Sequence, residues 1–388
     1  MRVLMVSDVY FPRINGVSTA IETYRRTLAS HGIEVKLIAP DYDQPCDQPW
    51  ITRVKGRAIP RDPEDRLVRW RALNDTLETA AADCDLIHVQ TPFLAHYAAE
   101  RVARRRNLPL IATYHTLFEE YFHHYAPFLP ASWLRGAARR FSRTQCDALN
   151  AVIVPSRAIE SRLREYGVST PLHILPTGVP LSQFTAGDRQ RFRTQHGIAP
   201  DRPVALYVGR VAHEKNLDFL LEVAALARRQ VPDILLLITG EGPALPHLRR
   251  EVVRLGLENH VQFIGYLNRQ QALPDCYAAA DAFVFASRTE TQGLVLIEAM
   301  AMGLPVVALS AMGTADILRD GQGARVPHDH PEDFASKLGE LLLDGNHRRQ
   351  LADSGKIHAE QWSDTVLAGR LAGLYRDIAA DHRKQSND

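Results

Sequence analysis

The chain has 388 residues, of which 45% are apolar and 23% charged, and its formal net charge is +1. These values are typical of a globular protein, and the length suggests two domains or three. The near-neutral charge gives no reason to expect a nucleic-acid partner, and no stretch approaches the roughly 20 apolar residues of a membrane-spanning helix.

Strands and helices alternate along the first half of the chain. The run "RVLMVS" predicts a strand, and "VSTAIETYRRTLASHG" predicts a helix, because Ile21, Tyr24 and Leu28 recur at helical spacing. Further strands are predicted at "IEVKLIAP", "DLIHVQTP", "LPLIATYHT", "NAVIVPS" and "LHILPTGV", with a helix at "AHYAAERVARRR". Strand–helix–strand units at this spacing imply a parallel sheet.

A second series of the same kind follows a break. Proline, glycine and charged residues dominate residues 183–202, which predicts a linker. The strands after it, such as "VALYVGRV", "ILLLITGEGP" and "DAFVFAS", are nearly continuous apolar runs, as in sheets covered by helices on both faces. The prediction is an α/β protein with two doubly wound Rossmann-like domains, residues 1–182 and 203–365, and a C-terminal helix with a polar tail over 366–388. Ligands of such sheets bind at the carboxyl ends of the strands, so the expected site is a cleft between the domains.

Two cations follow the first strand of the second series. In "GRVAHEKN", Arg210 comes directly after the strand and Lys215 lies five residues later, just before a helix. Positive side chains beside a helix N-terminus suit a polyanion such as a diphosphate, whose leaving oxygen needs stabilisation. The alternative is that both charges are merely exposed to solvent in a loop.

The turn "TGEGP" follows the next strand and contains Gly240. Glycine lets the backbone approach a ligand closely, but it can equally serve only the bend between strand and helix. The chain contains neither GxGxxG nor the P-loop pattern, which argues against a dinucleotide oxidoreductase and an ATPase.

Two glutamates flank the start of a predicted helix in "SRTETQGLVLIEAMAMGLPVVA". Glu290 lies in the loop before Gly293, and Glu298 lies about one turn into the helix that begins near Leu294. The two carboxylates should then be about 10 Å apart, roughly the separation of the two sugars in a nucleotide-sugar. Carboxylates accept well from paired hydroxyls, which suits Glu298 to a ribose and Glu290 to the transferred sugar. The alternative for Glu298, whose neighbours are apolar, is a capping or salt-bridged residue, because a buried carboxylate needs a ligand or a cation.

These motifs together resemble glycosyltransferase family four, whose members are retaining enzymes of the GT-B fold. The order "GRVAHEKN", "GEGP" and the spaced glutamates carries the resemblance in the second half, and "DVYFPRINGVS" and "TYHT" carry it in the first. It covers nearly the whole chain and implies that the C-terminal helix crosses back to the first domain. The segments "TETQGL" and "TYHTLFEEYFHHYAPFLP" are most similar to members that glycosylate diacylglycerol-type lipids or make related mannolipids.

The resemblance implies a set of site residues. Catalytic roles at the diphosphate, the donor sugar or the reacting centre fall on Arg210, Lys215, Glu290 and His115. Substrate binding falls on Glu298 at the ribose and on the amides of Gly293 and Leu294 at the phosphates or the sugar. Gly16 would let the first domain close on the donor, and Asn15 and Gly240 complete the predicted substrate-binding residues. The alternative for His115 is a structural histidine at the end of a strand.

The predicted reaction is transfer of a hexose from a UDP- or GDP-sugar to a lipid or a lipid-linked glycan. Retention requires attack from the face of the leaving group or a covalent intermediate, and no carboxylate stands out as the nucleophile. Same-face attack is therefore favoured, with catalysis by positioning and electrostatics. The resemblance implies no metal or other cofactor. The competing hypotheses are a transferase to a soluble sugar, a nucleotide-sugar epimerase and a non-catalytic nucleotide-sugar binding protein.

The acceptor and the location of the protein depend on weaker signals. In "WLRGAARRFSR", Arg135, Arg139 and Arg143 recur every four residues among apolar side chains, which suits a helix lying on an anionic membrane. "RLVRWRAL" (66–73) looks similar. The alternative for both is an ordinary amphipathic helix packed on a sheet. "FEEYFHHY" is predicted either as an acceptor loop or as core.

The cysteines and the N-terminus bear on the compartment. Four isolated cysteines fit a reducing compartment, and Ser7 and Asp8 interrupt what would be the apolar core of a signal peptide. The expected location is the cytoplasm, with peripheral binding to the inner face of the cytoplasmic membrane.

Overall fold

Two parallel sheets, one in each of two units, organise the chain. The computed structural model describes residues 1–13, 15–43, 48–59, 62–115 and 131–387. The first unit comprises Met1–Gly178 and Asp364–Asp388, and the second comprises Val179–Ser363. Both sheets are covered by helices, as the alternating pattern of the sequence predicts.

The first sheet has seven parallel strands in the order β3-β2-β1-β6-β7-β8-β9. They are β1 (Arg2–Val6), β2 (Glu34–Pro40), β3 (Ile51–Val54), β6 (Leu86–Val89), β7 (Leu110–Thr113), β8 (Ala151–Val154) and β9 (Leu172–Ile174). The strands β4 (Gly56–Ile59) and β5 (Asp62–Val68) form a separate antiparallel pair. Because the chain builds outward from β1 first to one side and then to the other, the strand order reverses between β1 and β6.

Helices surround this sheet, and their bounds are α1 (Gly16–Leu28), α2 (Trp70–Ala80), α3 (Leu94–Arg106), α4 (Ala131–Asp147), α5 (Arg157–Glu165) and the C-terminal helix (Asp364–Asn387). The short 3₁₀ turns Ala29–His31 and Ala81–Asp83 extend α1 and α2. Leu4, Ile87 and Ile153 in the central strands are fully buried, which is the physical reason that these strands read as continuous apolar runs.

The C-terminal helix belongs to the core of the first unit. Leu371 and Tyr375 are fully buried in the cluster that also contains Ile21 and Tyr24 of α1. These contacts confirm the prediction that the last helix returns to the first domain.

One predicted helix is wrong in its first half. Arg66–Val68, the beginning of "RLVRWRAL", belong to β5, and the helix begins only at Trp70. Leu67 pairs with Arg57 across the antiparallel ladder. The alternation of charged and apolar residues in this segment fits a strand as well as a helix, and the pairing with β4 decides between them.

The second sheet has six parallel strands in the order β12-β11-β10-β13-β14-β15. They are β10 (Val204–Val208), β11 (Leu235–Thr239), β12 (Val261–Gly265), β13 (Ala282–Phe285), β14 (Val306–Ala308) and β15 (Ala324–Arg325). The strand order here reverses between β10 and β13.

The helices of the second unit are α6 (Arg189–Gln195), α7 (Leu217–Ala227), α8 (Leu245–Arg254), α9 (Ala272–Ala279), α10 (Leu294–Ala301), α11 (Thr314–Ile317), α12 (Pro331–Leu343) and α13 (Gly345–Glu360). Two 3₁₀ turns, Leu181–Gln183 and His213–Lys215, lie between elements.

The segment expected as a linker, 183–202, contains α6, which packs against α9 in the second unit. The Arg191 guanidinium lies 2.6 Å from the Asp275 carboxylate, and Arg193, 3% exposed, lies 3.0 Å from Asp281. This part of the chain is therefore attached to the second sheet. In the described ranges, no helix is long and apolar enough to cross a membrane.

Two histidines of the first unit are held neutral in the core. His88 and His96 are 0% and 2% exposed, and burial lowers their pKa to about 3 and about 4. The His96 Nε2 atom has no hydrogen-bond partner within the described part of the chain. Because the pKa of each is lower in the folded than in the unfolded protein, the unfolded state takes up more protons below about pH 6.5, and stability is lost as the pH falls.

We expect His96→Leu to raise the free energy of unfolding at pH 5 by about 2 kcal/mol relative to the wild type. At pH 5 the solution is about 1.5 pH units below the pKa of an unfolded histidine, and each unit favours the unfolded wild type by about 1.4 kcal/mol. The gain at pH 7.5 should be smaller. Urea unfolding at both pH values measures the difference. An equal pH dependence of stability in the wild type and His96→Leu would contradict the assignment.

Candidate functional site

The loops after β10 and β13 meet at the carboxyl end of the second sheet. Because the strand order reverses between these two neighbours, their connections run to opposite faces and leave a crevice where ligands of such sheets bind. The Asn216 Nδ2 atom donates to the Ala286 carbonyl at 3.0 Å, and the Thr289 hydroxyl donates to the Glu214 carbonyl at 3.3 Å. Residues about 75 positions apart in the sequence are thus held side by side.

Lys215 and Glu290 form the central ion pair of this crevice. The Lys215 Nζ atom lies 2.9 Å from a Glu290 carboxylate oxygen, and the two side chains are 20% and 21% exposed. A half-buried pair is screened by salt much less than a surface pair. Two residues that were singled out separately in the sequence therefore form one charged unit.

Arg210 pairs with a carboxylate that the sequence analysis did not single out. Its guanidinium donates to Glu214, four residues on, and remains 63% exposed. Burial opposes ionisation of Glu214, but its own backbone amide, Arg210 and Lys215 together hold its pKa below the usual range. The four-residue spacing of Arg210 and Glu214 in "GRVAHEKN" was the available signal. Both predicted phosphate-binding cations are thus balanced by carboxylates in this structure.

Gly240 supports the Arg210 loop from the next strand. Its φ is +125°, and a Cβ atom there would lie 1.9 Å from the Gly209 carbonyl oxygen. One residue on, the Glu241 carbonyl accepts from the Val211 amide at 2.8 Å. The absence of a side chain at Gly240 therefore lets two loops of the site pack backbone to backbone, whether or not a ligand also approaches it.

Gly293 begins α10 beside the ion pair. It adopts φ +95°, and as the N-cap it supplies no capping side chain. A Cβ atom on Gly293 would lie 3.6 Å from Cγ of Glu290, so the helix start and the carboxylate are neighbours. The first amides of a helix have no intrahelical acceptor, so the amides near Leu294 make an anion site possible here.

The loop after β14 contacts the backbone of the Glu290 loop. The Gly313 amide donates to the Glu290 carbonyl at 2.8 Å, and a Cβ atom on Gly313 would lie 2.0 Å from the Thr291 carbonyl oxygen. This close backbone contact holds the Glu290 loop in place, and nothing in the motif itself indicates it.

Glu298 is buried and fully engaged. Its side chain is 2% exposed; Arg269 donates to one carboxylate oxygen, and the Tyr277 hydroxyl donates to the other at 2.9 Å. Burial, together with the adjacent carboxylate, raises the pKa of Tyr277 well above its usual value. The salt-bridged alternative for Glu298 is therefore realised, and its role at a ribose stays a prediction. Neither partner was predicted from the sequence; the signal available for Arg269 was a cation after a strand, as at Arg210.

We expect Arg269→Ala to destabilise the second unit by about 3 kcal/mol, because it leaves the Glu298 carboxylate buried with a single partner. Tyr277→Phe, which removes only a neutral donor, should cost about 1 kcal/mol. Urea unfolding measures both. Adding Glu298→Gln to Arg269→Ala should recover much of the loss, since no charge is then left buried; a loss below about 0.5 kcal/mol for Arg269→Ala would show that Glu298 does not depend on it.

The remaining predicted donor residues belong to the first unit. His115 follows β7, and its Nε2 atom lies 3.0 Å from the Gln90 side-chain oxygen. Asn15 caps α1, because its side-chain oxygen accepts from the Ser18 amide at 2.8 Å. A Cβ atom on Gly16 would meet no heavy atom of the described residues within 4 Å. The roles of all three at a donor stay predictions.

The basic segment of the first unit is helical, as predicted. Arg139 and Arg143 of α4 are exposed; the Arg139 guanidinium lies 5.5 Å from the centre of the Tyr166 ring, and Arg143 lies 3.4 Å from Asp147. The side chain of Arg135 and the segment "FEEYFHHY" lie outside the described residues. Among the residues that are described, no group of three or more histidines, cysteines or acids could hold a metal ion.

Comparison with known proteins gives consistent matches along the chain. The family profile described as "Glycosyltransferase Family 4" matches residues 14–183, and the profile "Glycosyl transferases group 1" matches residues 188–358. The alpha-monoglucosyldiacylglycerol synthase of Streptococcus pneumoniae is 31% identical over 404 residues, which cover 98% of this chain and 89% of the relative. The synthase of the same name from Acholeplasma laidlawii is 27% identical, and the alignment covers 100% of both chains. The crystal structure of Anabaena HepE in complex with UDP has a TM-score of 0.77 at 17% identity and covers 97% of this chain and 100% of that one.

Proposed function

The chain belongs to glycosyltransferase family 4, and from this premise we propose that it transfers a hexose from a UDP- or GDP-sugar to a diacylglycerol-type lipid, with retention of the anomeric configuration. The fold is the predicted GT-B class, and the protein is a glycosyltransferase. The donor, the acceptor and the stereochemistry are the parts that we propose.

The Lys215–Glu290 pair, next to the start of α10, is the observation that carries the proposal. A nucleotide-sugar presents a diphosphate beside a sugar, and this crevice presents an ammonium group beside a carboxylate 2.9 Å away. On donor binding, Lys215 would turn to the diphosphate and Glu290 would accept hydrogen bonds from sugar hydroxyls. Lys215 would exchange a carboxylate for the diphosphate, and Glu290 would exchange an ammonium group for sugar hydroxyls, so neither group would be left without a hydrogen-bonding partner.

The chemical step we propose uses positioning and electrostatics. The bond between the anomeric carbon and the diphosphate oxygen breaks, and charge develops on that oxygen, where Lys215, Arg210 and the first amides of α10 would stabilise it. The acceptor hydroxyl attacks from the same face, and its proton passes to the departing phosphate oxygen. Because the acceptor attacks from the face that the diphosphate leaves, the product keeps the configuration of the donor, and no protein nucleophile is needed.

A lipid acceptor is supported by the relatives and by the surface of α4. Two relatives that align with nearly the whole chain are named alpha-monoglucosyldiacylglycerol synthase. Arg139 and Arg143 are exposed on one helix, as is Arg140, and such a face attracts anionic lipid headgroups. Peripheral binding to an anionic membrane follows as part of the proposal.

The test is an assay with two donors and several acceptors. The purified protein is incubated with UDP-glucose or GDP-mannose and with vesicles of diacylglycerol and anionic phospholipid, and the lipid product is analysed by mass spectrometry and by NMR of the anomeric proton. We expect a hexosyl diacylglycerol of retained configuration. Transfer only to soluble sugars, or conversion of the donor to its epimer, would replace the lipid proposal; donor binding without turnover with any acceptor would overturn the catalytic one.

A matched pair of vesicles tests the membrane part. Binding to vesicles that contain anionic phospholipid should be much stronger than binding to neutral ones, and should weaken in the double variant Arg139→Ala/Arg143→Ala, because each basic residue near such a surface contributes about 1 kcal/mol. Equal sedimentation with both vesicle types would remove the electrostatic part of the proposal.

A further inference from the structure

Two polar side-chain pairs lie at the carboxyl ends of the neighbouring strands β6 and β7. The His88 Nε2 atom lies 2.7 Å from the Thr113 hydroxyl, and in the loops just beyond the two strands the Gln90 side-chain oxygen lies 3.0 Å from His115 Nε2. His88 and Gln90 are two residues apart in the sequence, as are Thr113 and His115, so the two pairs are neighbours. The Tyr375 hydroxyl of the C-terminal helix lies 2.6 Å from His88 Nδ1.

The Gln90–His115 pair uses only part of the hydrogen-bonding capacity of the Gln90 side chain. Gln90 is 1% exposed, and its Nε2 atom has no hydrogen-bond partner in the part of the chain that the structure describes. A buried amide that satisfies only one of its groups is costly, and an apolar side chain would be more stable in that place. The contact with His115 is therefore the feature that accounts for a glutamine at this position.

We propose that Gln90 is a positioning residue that holds His115 as the neutral tautomer with hydrogen on Nε2, so that Nδ1 is the acceptor presented to a hydroxyl of the substrate. A carbonyl oxygen can only accept, so the ring nitrogen facing it must carry the proton. In a neutral imidazole the other nitrogen then has the lone pair. The proposal rests on the proposed function only in naming a hydroxyl of the sugar or the acceptor as the group that donates a hydrogen bond to Nδ1.

The surroundings of His115 favour the neutral ring. Burial lowers the pKa of His115 to about 4, so the ring carries no charge near pH 7. The neighbouring His88 is a titratable group in electrostatic contact with His115, and burial also keeps the His88 ring neutral. No acid is paired with His115 among the described residues, so the neutral amide of Gln90 selects a tautomer without promoting protonation.

The test reads the tautomer directly in the free, full-length protein. Histidine labelled with ¹⁵N is incorporated, and the His115 signals are identified by their loss in His115→Gln. We expect the pattern of an Nε2-protonated neutral ring in the wild type and its loss in Gln90→Leu. Tyr375→Phe, which removes the hydrogen bond between Tyr375 and the neighbouring His88, is the matched control and should leave the His115 pattern unchanged.

A second variant separates positioning from a merely structural role. Gln90→Glu keeps the shape of the side chain but places a carboxylate against His115, which favours the imidazolium. We expect the acidic limb of the pH profile of kcat/KM to move upward by one pH unit or more, and kcat/KM of Gln90→Leu to fall about tenfold. A structural role would lower the rate equally at every pH.

The outcomes are decisive in either direction. An Nδ1-protonated ring in the wild type, or the same His115 pattern in wild type and Gln90→Leu, overturns the proposal. If Gln90→Leu does not fold, the pH titration of the His115 signals in Gln90→Glu decides: an unchanged midpoint overturns it. If no sugar transfer is found with any acceptor, the proposed function fails, while the NMR result on Gln90 and His115 still stands.

Discussion

Lys215→Ala is expected to lower the rate of sugar transfer by about a thousandfold, because removal of one preorganised donor from a developing oxyanion costs about 3–4 kcal/mol. Donor affinity should fall by a smaller factor, about thirtyfold, since a charge-assisted hydrogen bond is worth about 2 kcal/mol in the ground state. The variant also leaves Glu290 beside the diphosphate without its cation, which adds repulsion. Initial rates with the preferred donor and calorimetric donor binding measure the two effects.

The same substitution should hardly affect folding. Each side chain of the Lys215–Glu290 pair is about one-fifth exposed, so water still reaches the Glu290 carboxylate when Lys215 is removed, and we expect a loss of about 1 kcal/mol. Lys337→Ala is the matched control, because Lys337 is also 20% exposed and pairs with Asp333 in the same unit. The control should retain full activity. A Lys215→Ala enzyme with nearly normal kcat would mean that the leaving oxygen is stabilised elsewhere.

Gly240→Ala is expected to destabilise the second unit by about 4 kcal/mol. Donor binding should therefore be lost at a lower temperature than in the wild type. The added Cβ atom would lie 1.9 Å from the Gly209 carbonyl oxygen, so the backbone before Arg210 must move. Overpacking of a rigid site costs about 1–3 kcal/mol or more, and a side chain at this backbone conformation adds about 1–3 kcal/mol. The unfolding temperature should fall by about 10 °C.

Gly256 provides a control for a positive φ without a steric contact. Its φ is +63°, and a Cβ atom there would meet no atom of the described residues within 4 Å. Gly256→Ala should therefore cost only about 1 kcal/mol and leave donor binding intact. Thermal unfolding with and without UDP- or GDP-sugar compares the two variants. Equal losses of stability would show that contact with the Arg210 loop does not explain the glycine at position 240.

The motifs in the sequence were enough to predict the family and many residues of the candidate site. Arg210, Lys215 and Glu290 all lie after strands of one parallel sheet, and Lys215 and Glu290 are in contact. What the motifs did not indicate is how the charges are arranged: Arg210 pairs with Glu214, and Glu298 pairs with Arg269. Their roles toward a donor remain predictions that the variants above test.

The sequence by itself determined the alternation of strands and helices in the two parallel sheets, because burial on a sheet or on one helix face leaves a local pattern with a fixed period. It did not determine the antiparallel pair of β4 and β5. Only the tertiary structure decided the partners. Lys215 meets Glu290 because β10 lies next to β13, and the order of strands in a sheet leaves no mark in the local pattern. For the same reason, the contact between Gln90 and His115, and the burial of Glu298 against Tyr277, depend on which elements pack together and could not be derived from spacing alone.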